Sequence, residues 1–135
     1  MSDCEIIPVV DSKDIVAVRY AVRRQAVKLK FSLVDQTKIV TAASELARNV
    51  FLHAGGGEVT LEVLEDGARH GLRARFVDKG PGIADIDLAL RDGFTTGVGL
   101  GLGLGGAKRL VNEFSIESAP GKGTRVTITR WRGLL

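Results

Sequence analysis

Two stretches near the start of the chain have the periodicity of amphipathic helices. Ile15, Val18, Val22 and Leu29 recur at spacings of three, four and seven, with Arg19, Arg23, Arg24, Lys28 and Lys30 between them. That pattern predicts a helix from Asp11 or Ser12, either of which can cap it, to about residue 30, with a basic solvated face. A second helix is predicted over 35–54, capped by Asp35, with Ile39, Ala43, Leu46 and Val50 on its buried side and the glycines of AGGGE at its end. Ahead of both, CEIIPVV (4–10) has strand composition, and Pro8 places it at a sheet edge because proline has no N–H for a ladder. EVTLEVL (58–64) and HGLRARFVD (70–78) are strands joined by the turn-forming Glu65, Asp66 and Gly67, a hairpin signal. A short helix is predicted around 84–91, and AKRLVNEF continues from the glycines before it as a helix over 104–113. FSIES and TRVTITRW then make a last antiparallel pair across APGKG. The elements assemble into an α/β two-layer sandwich: a mainly antiparallel, mixed sheet with helices on one face.

Composition narrows the reading. A chain of 135 residues, 44% hydrophobic, is expected to be one domain, 1–135, able to bury a core. No apolar run reaches membrane-spanning length, and MSDCEII lacks the order of a signal peptide, so a cytoplasmic protein without a membrane partner is expected. Cys4 is the single cysteine, which excludes an internal disulfide and a cysteine-based zinc site. The net charge of +3 comes from 19 basic and 16 acidic side chains, a mixed surface unlike that of a nucleic-acid binder.

GVGLGLGLGG (97–106) is too regular for an ordinary loop and too glycine-rich for a helix. Three readings are open. The glycines can simply permit a tight loop. Gly101, Gly103 and Gly106 also satisfy G-x-G-x-x-G, but that motif requires a preceding strand and a parallel sheet, and RDGFTTG has no strand character. The third reading is a phosphate cradle, in which side-chain-free backbone and the start of the following helix approach an anion.

The cradle reading requires further parts, and the chain supplies candidates. VDKGPGI (77–83) ends a strand on Asp78, whose carboxylate suits the exocyclic amine of adenine and repels the carbonyl of guanine; Gly80 and Gly82 let the chain turn close to a base. In SELARNVFLHA (44–54), Glu45 and Asn49 are four apart and share a helix face. Asn49 offers a neutral oxygen to Mg2+, and Glu45 can take a proton from an attacking hydroxyl. There is no G-x-x-x-x-G-K-[ST], so a P-loop is excluded.

In order and spacing, residues 41–128 resemble the ATP-binding domain shared by DNA gyrase, ninety-kilodalton heat-shock chaperones, mismatch-repair ATPases and histidine kinases, the GHKL superfamily with its Bergerat fold. The helix of Glu45 and Asn49 looks like that superfamily's N box, and Asp78, Gly80 and Gly82 look like its first glycine box. Gly99, Gly101, Leu102, Gly103 and Gly105 resemble the second box, and Gly121, Gly123 and Thr124 the late G-x-G-T segment, whose threonine helps hold adenine through water. His53 and His70 do not look like phosphorelay histidines, and an upstream dimerising helix pair with a phosphoacceptor histidine is not expected. SELARN, DKGPGI, ALRDGFTTGVGLGLGL and IESAPGKGT are most similar to the anti-sigma-factor serine/threonine kinases of the RsbT type, switch kinases of stress-response signalling.

That resemblance implies transfer of phosphate from ATP, with Mg2+, to serine or threonine of a STAS-domain partner, followed by release to a downstream regulator such as a phosphatase. It implies Asn49 as metal ligand, Glu45 as general base, and backbone amides around Gly101, Gly103 and Gly105 as charge stabilisers. Residues 84–98 would form a lid hinged at Gly93 and Gly97, bringing Thr95 and Thr96 to a phosphate. The alternatives are a nucleotide-gated binding module, either anti-sigma factor or phosphatase activator, with phosphotransfer secondary, and a dinucleotide oxidoreductase.

Overall fold

The structure, a computed structural model, describes residues 4–90 and 103–133, and of His53 and Ala54 the backbone alone. Strand β1 (Cys4–Val9) is followed by helices α1 (Ser12–Lys28) and α2 (Leu33–Ala54), then by the hairpin β2 (Gly57–Asp66) and β3 (Arg69–Asp78). The short helices α3 (Ile86–Ala89) and α4 (Gly103–Arg109) lead to β4 (Glu113–Ser118) and β5 (Thr124–Trp131). The strands lie in the order β1-β2-β3-β5-β4. Every neighbouring pair is antiparallel, so the mixed component expected of the sheet is not found among the described strands.

Strand alternation decides which face is covered. Ile7, Val9, Val59, Leu61, Leu72, Ala74, Phe76, Val126 and Ile128 are buried on one side, packed with Val18, Val22 and Ala26 of α1 and Ile39, Leu46 and Val50 of α2. The opposite side is polar, with Arg75, Ser115, Glu117 and Arg125 exposed. At its far end Trp131 lies over Gly71, where an added Cβ would come within 2.7 Å of the ring. The Arg69 guanidinium stacks 3.9 Å from the ring centroid, and the indole N–H donates to Glu113 Oε2 at 2.7 Å.

β1 lies at the edge, as Pro8 requires. Asp11, rather than Ser12, caps α1, in a reciprocal arrangement: its carboxylate accepts from Lys13 N at 3.0 Å, and the Asp14 carboxylate accepts from Asp11 N at 3.0 Å. The basic face is solvated: Arg19, Arg24, Lys28 and Lys30 are exposed, and Arg24 pairs with Glu5 at 2.8 Å.

Three expectations need correction. Ser32, not Asp35, caps α2, accepting from Asp35 N at 3.1 Å. Asp35 is instead buried in the first turn and paired with Arg130. The helix after the glycines starts at Gly103 and ends at Arg109, so part of the run judged too glycine-rich for a helix is helical. Leu104, Gly105, Gly106 and Ala107 are all buried, and α4 packs on α2, so tertiary packing outweighs glycine's poor propensity. Asn112 closes the turn into β4 instead of extending the helix: its N–H donates to Thr129 O at 3.0 Å, and its side-chain oxygen accepts from Trp131 N at 2.7 Å.

Candidate functional site

One end of the sheet gathers the polar residues that the sequence singles out. Asp78 closes β3 opposite Thr124, the first residue of β5, and Thr124 is opposite Ser118, the last of β4. Alternation puts Asp78 on the helix-covered side with Ala74 and Phe76, and Thr124 there with Val126 and Ile128. One Asp78 oxygen, Oδ1, accepts from Gly80 N at 2.9 Å; Oδ2 has no hydrogen bond among the described residues.

The loop after Asp78 is folded against the turn between β4 and β5. Gly121 N donates to Pro81 O at 2.7 Å, and Ile83 N donates to Ser118 Oγ at 2.8 Å. Gly82 has φ +80°, and a Cβ there would stand 2.0 Å from Ala119 O; a Cβ on Gly123, at φ +75°, would stand 2.3 Å from Asp78 O. These two glycines are therefore required by close contacts within the protein itself, which for Gly82 is a reason beyond the approach to a base that sequence suggested.

The second component is α2. Glu45 and Asn49 lie one turn apart, both half-buried, and the Asn49 amide has no hydrogen-bond partner among the described residues. The helix is brought onto the Asp78 end of the sheet through Gly57, the register partner of Asp78. A Cβ on Gly57 would lie 2.2 Å from Val77 O and 2.9 Å from Val50 Cγ1, so only glycine lets α2 close here. The third component, α4, carries Gly103, at φ +69°, and the buried Gly105 against α2. Thr95, Thr96, Gly99, Gly101 and Leu102, with most of the expected lid, lie outside the described residues; only its first part is described, where Asp85 caps α3 by accepting from Leu88 N at 3.0 Å. His70 lies at the other end of β3 from Asp78, 4.0 Å from Glu65.

The donor set fits an adenine nucleotide. An unengaged carboxylate oxygen and a neighbouring hydroxyl offer acceptors to an amine, and a neutral amide oxygen is available one helix away. Among the described residues no group of three His, Cys, Asp or Glu could hold a metal. Mg2+ needs few protein ligands, because it usually keeps several waters and binds substrate phosphates, and the Asn49 oxygen could serve as one of them.

Two residues were missed by sequence reasoning. Ser118 is marked only as a polar residue in step with Phe114 and Ile116 on the covered side of β4. Arg130 has no local signal, because its partner Asp35 is 95 residues away.

Residues 34–132 match the family of histidine kinase-, DNA gyrase B- and HSP90-like ATPases. The chain is 45% identical over 131 residues to the serine/threonine-protein kinase RsbT of Bacillus subtilis (strain 168), covering 97% of this chain and 98% of that one. It is 31% identical over 121 residues to the anti-sigma F factor of Thermoanaerobacter sp. (strain X514), covering 85% and 83% respectively. Among solved structures, the RsbU and RsbW domains of a Mycobacterium tuberculosis protein superpose with a TM-score of 0.65 at 22% identity, over 97% of this chain and 33% of that one. The antiparallel sheet with its helices on one side, and the match over most of its length, establish that the chain belongs to the histidine kinase-, DNA gyrase B- and HSP90-like ATPase family.

Proposed function

We propose that this chain is an ATP-dependent serine/threonine protein kinase that phosphorylates a STAS-domain partner and is then released to a downstream regulator such as a phosphatase. The observation that carries the reading is the near full-length likeness to a serine/threonine kinase. The convergence of α2, α4 and the Asp78–Thr124 row at one end of the sheet supports it.

In this reading Asp78 and Thr124 receive the adenine, with Gly80 and Gly82 shaping the loop beside it. Asn49 would hold Mg2+, which would supply neutralisation of phosphate charge, and Thr95 and Thr96 reach the phosphates from the lid. Glu45 accepts the proton of the partner's hydroxyl as its oxygen displaces ADP from the terminal phosphorus. Backbone amides around Gly99, Gly101, Leu102, Gly103 and Gly105 stabilise the charge on the transferring group. The likeness to anti-sigma F factors favours one second reading, a nucleotide-gated binding module in which phosphotransfer is secondary.

Glu45→Ala separates the two. A general base contributes about 10²–10⁴-fold in rate, so the variant is expected to bind ATP nearly normally in calorimetry yet phosphorylate its co-purifying partner slower by that factor. Transfer at the wild-type rate rejects Glu45 as the base. Absence of transfer by the wild type, with ATP binding intact, favours the binding module.

A further inference from the structure

The Ser118 hydroxyl joins three segments. Ile83 N–H donates to it at 2.8 Å, the Gly123 carbonyl accepts from it at 2.8 Å, and the Thr124 hydroxyl lies 2.8 Å away. A hydroxyl has one proton and two lone pairs. The Ile83 amide only donates and the Gly123 carbonyl only accepts, so Ser118's proton is committed to Gly123. The contact between the hydroxyls is then closed by the proton of Thr124, which leaves Thr124 with lone pairs alone for anything else.

We propose that Ser118 is a specificity-determining residue: by taking the Thr124 proton it turns Thr124 into a pure acceptor beside Asp78, so that the pocket selects a purine with an amine at the 6-position over one with a carbonyl. The inference rests on the reading of this row as the base pocket. Asp78 is the other acceptor, and Asp78 and Thr124 face each other across β3 and β5. A water held between two pure acceptors gives a proton to each and keeps only lone pairs for the base, which an adenine amine satisfies and a carbonyl does not. Were Thr124 free to donate, the same water could turn a proton toward a carbonyl. Ser118 touches no base in this scheme; it acts through Thr124.

The test measures binding of ATP and of inosine triphosphate, whose 6-position is a carbonyl, to the full chain by calorimetry. The wild type is expected to prefer ATP. Ser118→Ala should narrow that preference about tenfold, the scale of one hydrogen bond, whereas Ser118→Thr, which keeps the hydroxyl, should retain it. Ser118→Ala combined with Thr124→Val should be no less selective than Thr124→Val alone, because both act on one proton. An unchanged ratio of affinities in Ser118→Ala, including equal weakening of both nucleotides, overturns the inference and leaves Ser118 a loop tie. Should Ser118→Ala not fold, Thr124→Val decides alone: wild-type preference there overturns the proposal. Equal affinity of the wild type for both nucleotides defeats the base-pocket reading itself.

Discussion

Asp35 and Arg130 are joined at 2.5 Å with side chains only 11% and 13% exposed, more enclosed than any other ion pair among the described residues. Arg130 also donates to Leu110 O at 2.9 Å, and Gly133 N donates to the second Asp35 oxygen at 3.1 Å, so the pair ties the start of α2 to the end of β5 and the exit from α4. Burial by itself would raise the Asp35 carboxyl, but the hydrogen bonds from Arg130 and the Gly133 amide, the Arg130 charge and Ser32 hold it below its ordinary value of 3.8. A carboxyl lowered on folding contributes stability that is complete above its unfolded pKa and lost as pH falls through the folded one. Unfolding midpoints should therefore be insensitive to this group at neutral pH and fall below pH 3.8. Asp35→Asn at pH 7 should cost about 3 kcal/mol in denaturant unfolding, and replacing both partners by apolar residues should recover most of it. At this scale, legibility followed sequence distance. Glu45 with Asn49, and Asp78 with Gly80, are separated by fixed local spacings and could be read together. Arg130 and Ser118 act on residues that only the fold brings near them.

Elements were legible where their own periodicity decides them. The β2–β3 hairpin follows from alternation and from Gly67, whose φ of +62° suits the turn, and α1 follows from its apolar stripe. The start and end of α4 were not, because a run of glycines has no helix preference of its own and becomes helical through burial against α2. Gly57 shows how one residue sets the distance between elements. In Gly57→Ala the new methyl meets the rigid Val77 carbonyl and the Val50 side chain, so α2 must lift or the hairpin must bend. The expected result is a loss of about 2–3 kcal/mol in denaturant unfolding, accompanied by weaker ATP binding in calorimetry, because the end of α2 beside Asn49 moves. Gly67→Ala is the control: nothing lies within 4 Å of its Cβ, so it should cost about 1–2 kcal/mol for the left-handed backbone and leave ATP affinity unchanged.

Over the whole molecule the sheet has two unlike ends. Asp78, Thr124 and Ser118 meet at one, while His70, Arg69 and Trp131 occupy the other. A nucleotide at the first end would hold α2, α4 and the two loops together without touching β1 or the polar face. At a hundredfold excess over its Kd, ATP should raise the unfolding free energy by about 2.7 kcal/mol, with the added hydrogen-exchange protection at 78–83, 118–124 and α4 rather than in β1 and α1. Unchanged stability, or protection spread evenly along the chain, would remove the nucleotide from that end. Trp131 bears on how such an experiment is read. It is the single tryptophan, at the last position of an eight-residue strand whose first residue is Thr124, which at about 3.3 Å per residue puts it roughly 23 Å from Thr124. Clamped between Gly71, Arg69 and Glu113, the indole is an intrinsic fluorophore whose emission should stay constant as ATP is added and change when the sheet comes apart, which would make it an optical gauge of unfolding alone.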